Sequence, residues 1–203
     1  MIKINEIFYS IQGESSYNGM PCVFIRLTYC NLRCSYCDTE YAFYEGKDMS
    51  IEDILKKVKS YNCQLVEVTG GEPLLQKKSI DLMEKLIEKN YTVMLETGGS
   101  LPISKVPNKV IKIIDFKCPT SKMDKKNDWS IIKDITNHDE IKFDSGAEVK
   151  AVQDNGFGLI SSFQLYQYIS KDNYRGSRYS QVRHQGHIFH MSSGFCQLHE
   201  VHE

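Results

Sequence analysis

Three cysteines lie within eight residues in Cys30-Asn-Leu-Arg-Cys34-Ser-Tyr-Cys37, with the spacing C-x3-C-x2-C. Three thiolates on one short loop can hold three irons of a four-iron cluster. Iron–sulfur clusters are normally closed by four cysteines, so the fourth iron would lack a protein ligand. An open iron is useful only where another molecule binds it. The spacing therefore predicts a [4Fe–4S] cluster with one position left for a ligand.

A zinc site is the alternative interpretation of the same cysteines. Structural zinc takes four protein ligands, commonly as two separated pairs, and no His or Cys follows Cys37 at a short spacing. Cys22 is a candidate fourth ligand, but it lies in the apolar run Cys22–Leu27, which is predicted to be a strand. Motifs further along the chain favour the cluster over zinc.

Composition narrows the class of protein. The chain has 203 residues and a net charge of −1, which predicts one ordinary domain with no general attraction to nucleic acid or to an anionic membrane. No apolar run approaches the roughly 20 residues that span a bilayer, and the N-terminus lacks a signal-peptide pattern. Seven cysteines, three of them clustered, argue against a disulfide framework. We therefore expect a cytoplasmic protein in which the other four cysteines are small buried or half-buried residues.

Strands and helices alternate along the first two thirds of the chain. A helix is predicted to begin after Ser50, which forms a capping-box pattern with Asp53, and a second begins at Ser79 and ends near Asn90. Strands are predicted over Cys22–Leu27, Leu65–Thr69, Thr92–Glu96, Val110–Asp115 and Glu140–Phe143. This alternation predicts an α/β fold with a mostly parallel sheet. The chain is too short for a full eightfold barrel with decorations, so we expect an incomplete (β/α) barrel.

Polar motifs follow three of these strands, at the edge where parallel α/β folds bind ligands. They are Thr69–Pro73 (TGGEP), Glu96–Gly98 (ETG) and Asp115–Pro119 (DFKCP). Paired glycines permit close approach of the backbone to a ligand, and a Glu can accept from an ammonium group. Each motif also has a simpler interpretation. Thr69–Pro73 could be an ordinary turn, Glu96–Gly98 a turn that ends a strand with an exposed Glu, and Lys117 an ordinary surface lysine.

Two further features precede the cysteine loop or follow it directly. Arg26 shares a strand face with Phe24, and an inward Arg needs an anionic partner. That partner is either a substrate carboxylate held by two hydrogen bonds or an internal Glu14 or Glu72. Thr39 follows the last cysteine at a distance of two residues, and its hydroxyl suits a hard cation such as Mg²⁺ or a helix cap.

Taken together, these segments resemble the 7-carboxy-7-deazaguanine synthase family of the radical S-adenosylmethionine (SAM) superfamily. The most specific pieces are the opening SIQGE and the cysteine loop CNLRCSYCDTEYA. The resemblance covers residues 1–143, about 70% of the chain, and rests on Ser10–Glu14, Phe24–Leu27, Cys30–Thr39, Thr69–Pro73, Glu96–Gly98 and Asp115–Pro119.

The resemblance implies a reaction on the route to queuosine. A reduced [4Fe–4S] cluster on Cys30, Cys34 and Cys37 would cleave SAM, bound at the open iron, to a 5′-deoxyadenosyl radical. The radical would remove hydrogen from C6 of 6-carboxy-5,6,7,8-tetrahydropterin. Ring contraction assisted by Mg²⁺ and loss of ammonia would then give 7-carboxy-7-deazaguanine, in a radical SAM lyase.

The resemblance also implies roles for individual residues and partners. Thr39 would contact Mg²⁺. The SAM site would contain Gly71, Glu72, Glu96 and Lys117, and the substrate would be held by Gln12, Glu14 and Arg26, with Arg26 on its carboxylate. The family is expected to form homodimers and to take electrons from a donor such as a flavodoxin or a ferredoxin, with no nucleic-acid or membrane partner.

Residues 144–203 depart from the pattern. They contain five of the six His, many polar residues and little periodicity, and Phe163–Ile169 only faintly resembles a closing element. We expect a divergent or poorly ordered segment, or one that completes the same domain, and carry over no functional residue beyond Lys117. The spacing His184-x2-His187-x2-His190 also fits a metal site, an interpretation weaker than a polar tail.

Two other functions stay open from the residues alone. A radical SAM activase, which makes a glycyl radical on a partner protein, would share the cysteine loop but needs no small-acid site such as the one that Gln12, Glu14 and Arg26 suggest. A non-catalytic zinc or iron–sulfur module would share only the cysteines.

Overall fold

The computed structural model describes residues 1–143 and the four later strands Gln164–Gln167, Ser180–His184, His187–Ser192 and Phe195–Glu200. In this part of the chain the helices are α1 (Ile51–Lys59) and α2 (Lys78–Glu88). The earlier strands are β1 (Ile2–Ile11), β2 (Pro21–Leu27), β3 (Lys47–Met49), β4 (Leu65–Gly70), β5 (Thr92–Thr97), β6 (Ile111–Phe116) and β7 (Glu140–Phe143), and the later four are β8 to β11 in chain order.

All eleven strands form one open sheet in the order β3-β1-β2-β4-β5-β6-β7-β11-β10-β9-β8. The central strands β2, β4, β5, β6 and β7 are parallel to their neighbours in this group, whereas β1 pairs with β2 in the antiparallel direction. The predicted α/β fold with an incomplete barrel is confirmed. The long β1 and the short β3 were not among the predicted elements.

One face of the central strands packs against the helices. Its side chains are apolar and buried, and they meet the buried faces of α1 and α2, where Ile54, Val58, Leu82, Met83 and Leu86 lie. The β-strand residues of this core are Val23, Ile25, Leu27, Val66, Val68, Val93, Leu95, Ile114, Phe116 and Ile141. Burial of these side chains supplies the main stabilising free energy of the fold.

The opposite, inner face is built in two layers. The lower layer is an apolar cluster of Cys22, Phe24, Leu65, Met94 and Ile113. Because side chains alternate along a strand, the residue two positions further on points the same way. Those residues form the charged upper layer: Arg26 after Phe24, Glu67 after Leu65, Glu96 after Met94 and Asp115 after Ile113.

The predicted helix starts fit the structure closely. Ser50 caps α1 by accepting a hydrogen bond from the Asp53 backbone N–H at 3.1 Å, as the capping pattern predicts. Helix α2 begins at Lys78, one residue before the predicted Ser79, and Asn90 lies just beyond its end with a positive φ of 64°. Neither helix in the described part of the chain has the length and apolar character needed to cross a membrane.

Parts of residues 144–203 extend the sheet. Strand β11 pairs with β7, and β10, β9 and β8 follow in antiparallel pairs. Strand β8 falls within Phe163–Ile169, and the three clustered His lie on β9 and β10. The side chains of these strands and the segments between them lie outside what the structure describes. The predicted division at residue 143 and the histidine metal site therefore stay predictions.

Candidate active site

A cavity of about 510 Å³ lies above the charged layer, at the C-terminal ends of the parallel strands. This volume is in the range of small-molecule and cofactor sites. Ten of the eleven predicted site residues line it: Gln12, Glu14, Arg26, Cys30, Cys34, Cys37, Thr39, Gly71, Glu96 and Lys117. The fold thus brings together in one cavity the residues that the sequence predicted separately. The eleventh, Glu72, lies beneath the cavity wall.

The cysteine loop is closed by contacts of its own. Its entry residue, Tyr29, has φ of 79°, which is uncommon for a bulky residue and costs free energy. The Tyr29 N–H donates to the Ala42 carbonyl at 2.9 Å, which joins the two ends of the loop. Arg33 Nη1 donates to the carbonyls of Cys30 and Leu32 at 2.8 and 2.6 Å, and its guanidinium lies 4.2 Å from the centre of the Phe43 ring. Arg33 therefore stabilises the conformation of the loop, although it is not one of the predicted cluster ligands.

The Gly70-Gly71 pair docks this loop onto β4. A Cβ on Gly71 would lie 2.2 Å from the Tyr29 carbonyl oxygen, and one on Gly70 would lie 2.2 Å from that of Leu27. Gly70 also has φ of 140°, a conformation that favours glycine. The N–H of Glu72 donates to the Tyr29 carbonyl at 2.8 Å. Because neither glycine has a side chain, the cysteine loop can pack directly against the end of β4. Gly71 also lines the cavity.

Glu72 is fully buried, and its carboxylate is already engaged. It accepts hydrogen bonds from the Thr97 hydroxyl at 2.9 Å, from the Gly98 N–H at 2.8 Å and from the Leu74 N–H at 3.0 Å. Burial raises the pKa of Glu72, and these donors oppose that shift. Glu72 joins the ends of β4 and β5, and its predicted contact with SAM stays a prediction.

The three thiols suit the predicted cluster chemically. Cys30, Cys34 and Cys37 are all half-buried and line the same cavity. Burial raises the pKa values of the Cys30 and Cys34 thiols, so binding of iron, which requires thiolates, would release protons. Within the described residues, no three or more His, Cys, Asp or Glu side chains are arranged to hold a single metal ion.

Arg26 has a partner that the sequence did not suggest. Its Nε donates to Glu6 Oε1 at 2.8 Å, whereas the predicted internal partners were Glu14 and Glu72. A register shift in β1 between Ile4 and Glu6 brings Glu6 opposite Arg26, as β-bulges re-aim side chains. In the described part of the chain the Arg26 Nη groups make no hydrogen bond. They are the part of the guanidinium left for a carboxylate of a ligand.

Two lysines neutralise much of the acidic inner face. Lys117 Nζ lies 2.7 Å from Asp115 Oδ2, and Lys142 Nζ lies 2.7 Å from Glu14 and 3.6 Å from Glu96. Burial lowers the pKa of each lysine, but the neighbouring carboxylates more than offset this and raise it overall. Both lysines therefore stay charged.

Asp115 retains one unsatisfied atom. Its Oδ1 is buried and has no hydrogen-bond partner among the described residues, and burial raises the pKa of its carboxyl against the attraction of Lys117 and Lys142. Buried polar atoms are rarely left unpaired. A polar ligand in the cavity, such as the SAM that the resemblance predicts, would satisfy this atom.

The Gln12–Met20 loop carries predicted substrate residues across to β7. Ser16 donates from its hydroxyl and its N–H to the Glu140 carboxylate, at 2.5 and 3.1 Å. Gln12 Nε2 donates to Glu67 Oε2, and Gln12 Oε1 accepts from the Glu14 N–H at 3.0 Å. The loop is thus fixed at both ends with Gln12 and Glu14 on the cavity wall.

Thr39 lies beside the last cysteine, with its Oγ1 3.8 Å from Cys37 Sγ. It precedes the 3₁₀ turn Glu40–Phe43, yet its side chain makes no capping hydrogen bond. The helix-cap alternative therefore receives no support, and the Mg²⁺ role stays a prediction.

Sequence reasoning missed several residues of the cavity and its support, among them Glu6, Arg33, Glu67, Glu140 and Lys142. A usable signal existed for Glu67, since it is the one charged residue of an otherwise largely apolar strand, as Arg26 is. Glu6 and Glu140 gave no such signal, because their partners depend on strand register and on a loop crossing.

One segment of the chain is similar to a known superfamily. Residues 24–117 match the model of the radical SAM superfamily, and this segment contains the three cysteines, Gly71, Glu96 and Lys117. This segment of the chain is therefore similar to the radical SAM superfamily.

Curated relatives narrow the similarity further. The chain is 49% identical over 144 residues to a 7-carboxy-7-deazaguanine synthase of Koribacter versatilis, a match that covers 70% of the chain and 64% of that protein. A synthase of the same name from Methanospirillum hungatei is 38% identical over 148 residues, covering 72% and 62%. The chain thus spans less than two thirds of the length of these relatives.

A solved structure shows the same fold. The crystal structure of QueE from Escherichia coli matches with a TM-score of 0.64 at 21% identity, covering 85% of this chain and 80% of that one. The match of residues 24–117 to the radical SAM model implies a [4Fe–4S] cluster and SAM as cofactors.

Proposed function

We propose that this chain is a 7-carboxy-7-deazaguanine synthase, a radical SAM lyase that converts 6-carboxy-5,6,7,8-tetrahydropterin to 7-carboxy-7-deazaguanine with loss of ammonia. The observation that carries the proposal is that one cavity joins the cysteine loop to Gln12, Glu14 and Arg26. The relatives from Koribacter versatilis and Methanospirillum hungatei, both named 7-carboxy-7-deazaguanine synthase, support the same reaction.

Cys30, Cys34 and Cys37 would hold the cluster, and Gly71, Glu72, Glu96 and Lys117 would surround SAM. When bound, these cofactors supply the radical that removes a hydrogen atom from C6 of the substrate. The unsatisfied Asp115 Oδ1 and the cavity volume support a polar ligand next to the cysteines. Among these residues, Glu72 would act by fixing the ends of β4 and β5, because its carboxylate is already engaged.

The protein's own groups would orient the substrate. Arg26 is held at its Nε by Glu6 and packs 5.8 Å from the centre of the Phe8 ring and 5.9 Å from that of Tyr41. This leaves its Nη groups to bind the substrate carboxylate with two hydrogen bonds. Gln12 and Glu14 would bind the polar edge of the pterin, and Thr39 would contact Mg²⁺ beside it.

The remaining parts of the proposal concern the cell and the partners. The enzyme would work in the cytoplasm as a homodimer and would receive electrons from a flavodoxin or a ferredoxin. Size-exclusion chromatography with light scattering tests the dimer, and reduction of the reconstituted cluster by each donor tests the electron source.

The function is tested by anaerobic reconstitution with iron and sulfide, followed by incubation with SAM, a reductant, Mg²⁺ and the carboxytetrahydropterin. Mass spectrometry is expected to detect 7-carboxy-7-deazaguanine, and its yield should fall when Mg²⁺ is left out. A chain that cleaves SAM but forms no such product would refute the substrate and leave the superfamily intact. A chain that binds no iron would refute the cofactor assignment as well.

A further inference from the structure

Glu67 is a buried carboxyl group without a cation beside it. It is 4% exposed and lines the cavity from the middle of β4. The inner-face cations lie against other acids: Arg26 against Glu6, Lys117 against Asp115, and Lys142 against Glu14. No ion pair of Glu67 occurs in the described part of the chain. An isolated buried carboxylate is costly, which favours the neutral acid at this position.

Two acidic groups that face Glu67 strengthen this preference, whereas the hydrogen bond from Gln12 and the charge of Arg26 oppose it. Glu96 approaches from β5 and Glu14 from the Gln12–Met20 loop, and both would repel a second negative charge. On β2, Cys22 lies below as a thiol and Arg26 above, where it is engaged by Glu6. Burial, with the nearby Glu96 charge second, raises the pKa of Glu67 to about 8.

The hydrogen bonds of Gln12 set the orientation of its amide toward Glu67. Gln12 Oε1 accepts from the Glu14 N–H, so the amide nitrogen of Gln12 is the end that faces Glu67. Because Gln12 Nε2 donates to Glu67 Oε2, that oxygen would be the acceptor in the neutral acid, and the hydroxyl would then lie on Oε1. Gln12 thus leaves Glu67 with one O–H to offer to a ligand.

We propose that Glu67 is the proton donor for the loss of ammonia. This role rests on the proposed function. As the C–N bond of the ring-contracted substrate breaks, its electron pair goes to nitrogen, and the Glu67 O–H bond breaks to give nitrogen its proton. The Glu67 carboxylate then takes a proton from the adjacent carbon, whose C–H electrons form the new C=C bond. The step is neutral in charge and redox state, and Glu67 returns to its starting form.

The test compares wild type with Glu67→Gln, which keeps the size and removes the acid, and with Glu88→Gln, an exposed change on α2. Product and ammonia are measured together with 5′-deoxyadenosine in single-turnover reactions between pH 6 and 10. We expect Glu67→Gln to lower the rate of product formation about 10²- to 10⁴-fold, the usual contribution of general acid–base catalysis, while 5′-deoxyadenosine still forms. The wild-type rate should fall as pH rises past the pKa of Glu67, and Glu67→Gln should lack this fall.

Infrared difference spectra of wild type minus Glu67→Gln supply a readout other than turnover. They should show the carbonyl band of a protonated carboxylic acid at pH 7, and this band should disappear at pH 10. Its absence at pH 7 would overturn the role, as would a Glu67→Gln variant with the rate and pH profile of wild type. If wild type forms no product, the proposed function fails, and this role fails with it. Iron content and thermal unfolding show that each variant is folded.

Discussion

The two faces of the same five parallel strands differ most toward the C-terminal ends of the strands. The helix-facing side carries Val, Ile, Leu and Phe packed against α1 and α2. At these ends the inner side carries Arg26, Glu67, Glu96, Asp115 and Lys142, which line the same cavity as the cysteine loop. The first face stabilises the fold, whereas the second buries charge at a cost in stability. Alternation along each strand allows one segment to meet both demands.

The largest effect is expected at the cysteine loop. Cys34→Ala removes one of the three proposed cluster ligands and should abolish both cluster assembly and SAM cleavage, since no cysteine other than these three lines the cavity in the described part of the chain. Cys63→Ala, a half-buried cysteine outside the loop, is the matched control and should retain both. Iron analysis and 5′-deoxyadenosine yield measure the outcome, and a cluster of normal iron content in Cys34→Ala would contradict the ligand assignment.

The helix-facing side should dominate stability. Leu95 is fully buried, and Leu95→Ala should lower the free energy of unfolding by about 2–5 kcal/mol through lost packing and a cavity. The next residue faces the cavity, and Glu96→Gln should change this free energy far less. Urea denaturation of the metal-free protein under reducing conditions compares them. If both variants lost the same free energy of unfolding, the helix-facing side would not dominate stability.

The inner face should make stability depend on pH. The folded-state pKa of Glu67 is raised, so between its ordinary value of 4.5 and about 8 the folded state holds a proton that the unfolded state has lost. Stability then falls as pH rises through this window. Wild type should lose a few kcal/mol between pH 5 and 8 relative to Glu67→Gln, which cannot titrate. A difference in urea midpoint between the two proteins that stays constant across this range would contradict a protonated Glu67 in the folded state.

The packing of the cysteine loop against the end of β4 can be tested at Gly71. A Cβ there would meet the Tyr29 carbonyl oxygen at 2.2 Å, so Gly71→Ala should destabilise the protein by about 1–3 kcal/mol through overpacking and should reduce cluster content. Gly13→Ala has no atom within 4 Å of the new methyl and should leave the melting temperature unchanged. Equal melting temperatures in both variants would show that the loop does not rest on Gly71.

The smallest effect belongs to a helix end far from the cavity. Ser50→Ala removes the side-chain cap of α1 and should cost about 1 kcal/mol, with no change in cluster content. Ser60→Ala, at the exposed opposite end, should cost less, since its hydroxyl bonds only to the Lys57 carbonyl. Thermal unfolding ranks them, and a Ser60→Ala loss larger than that of Ser50→Ala would refute the cap.

Local patterns predicted most of the parallel core and most of the cavity. The Ser50 cap and the strand runs are local features, and strand alternation correctly turned Arg26 toward Phe24. The internal partner of Arg26 was predicted wrongly as Glu14 or Glu72, because it depends on a bulge in β1 that sets Glu6 opposite Arg26. Hydrogen bonds from Thr97 and Gly98, at the end of the neighbouring strand β5, hold the Glu72 carboxylate beneath the cavity wall. Contacts set by register between distant segments are what the sequence alone could not supply.

The cluster, SAM and the substrate are proposed to bind in one cavity. The most direct test of this placement is deuterium transfer from the carboxytetrahydropterin labelled at C6. Reconstituted wild type should produce 5′-deoxyadenosine that contains deuterium together with 7-carboxy-7-deazaguanine, because the cysteine loop and the substrate residues line the same cavity. Unlabelled 5′-deoxyadenosine, formed at the same rate with or without the pterin, would contradict this placement.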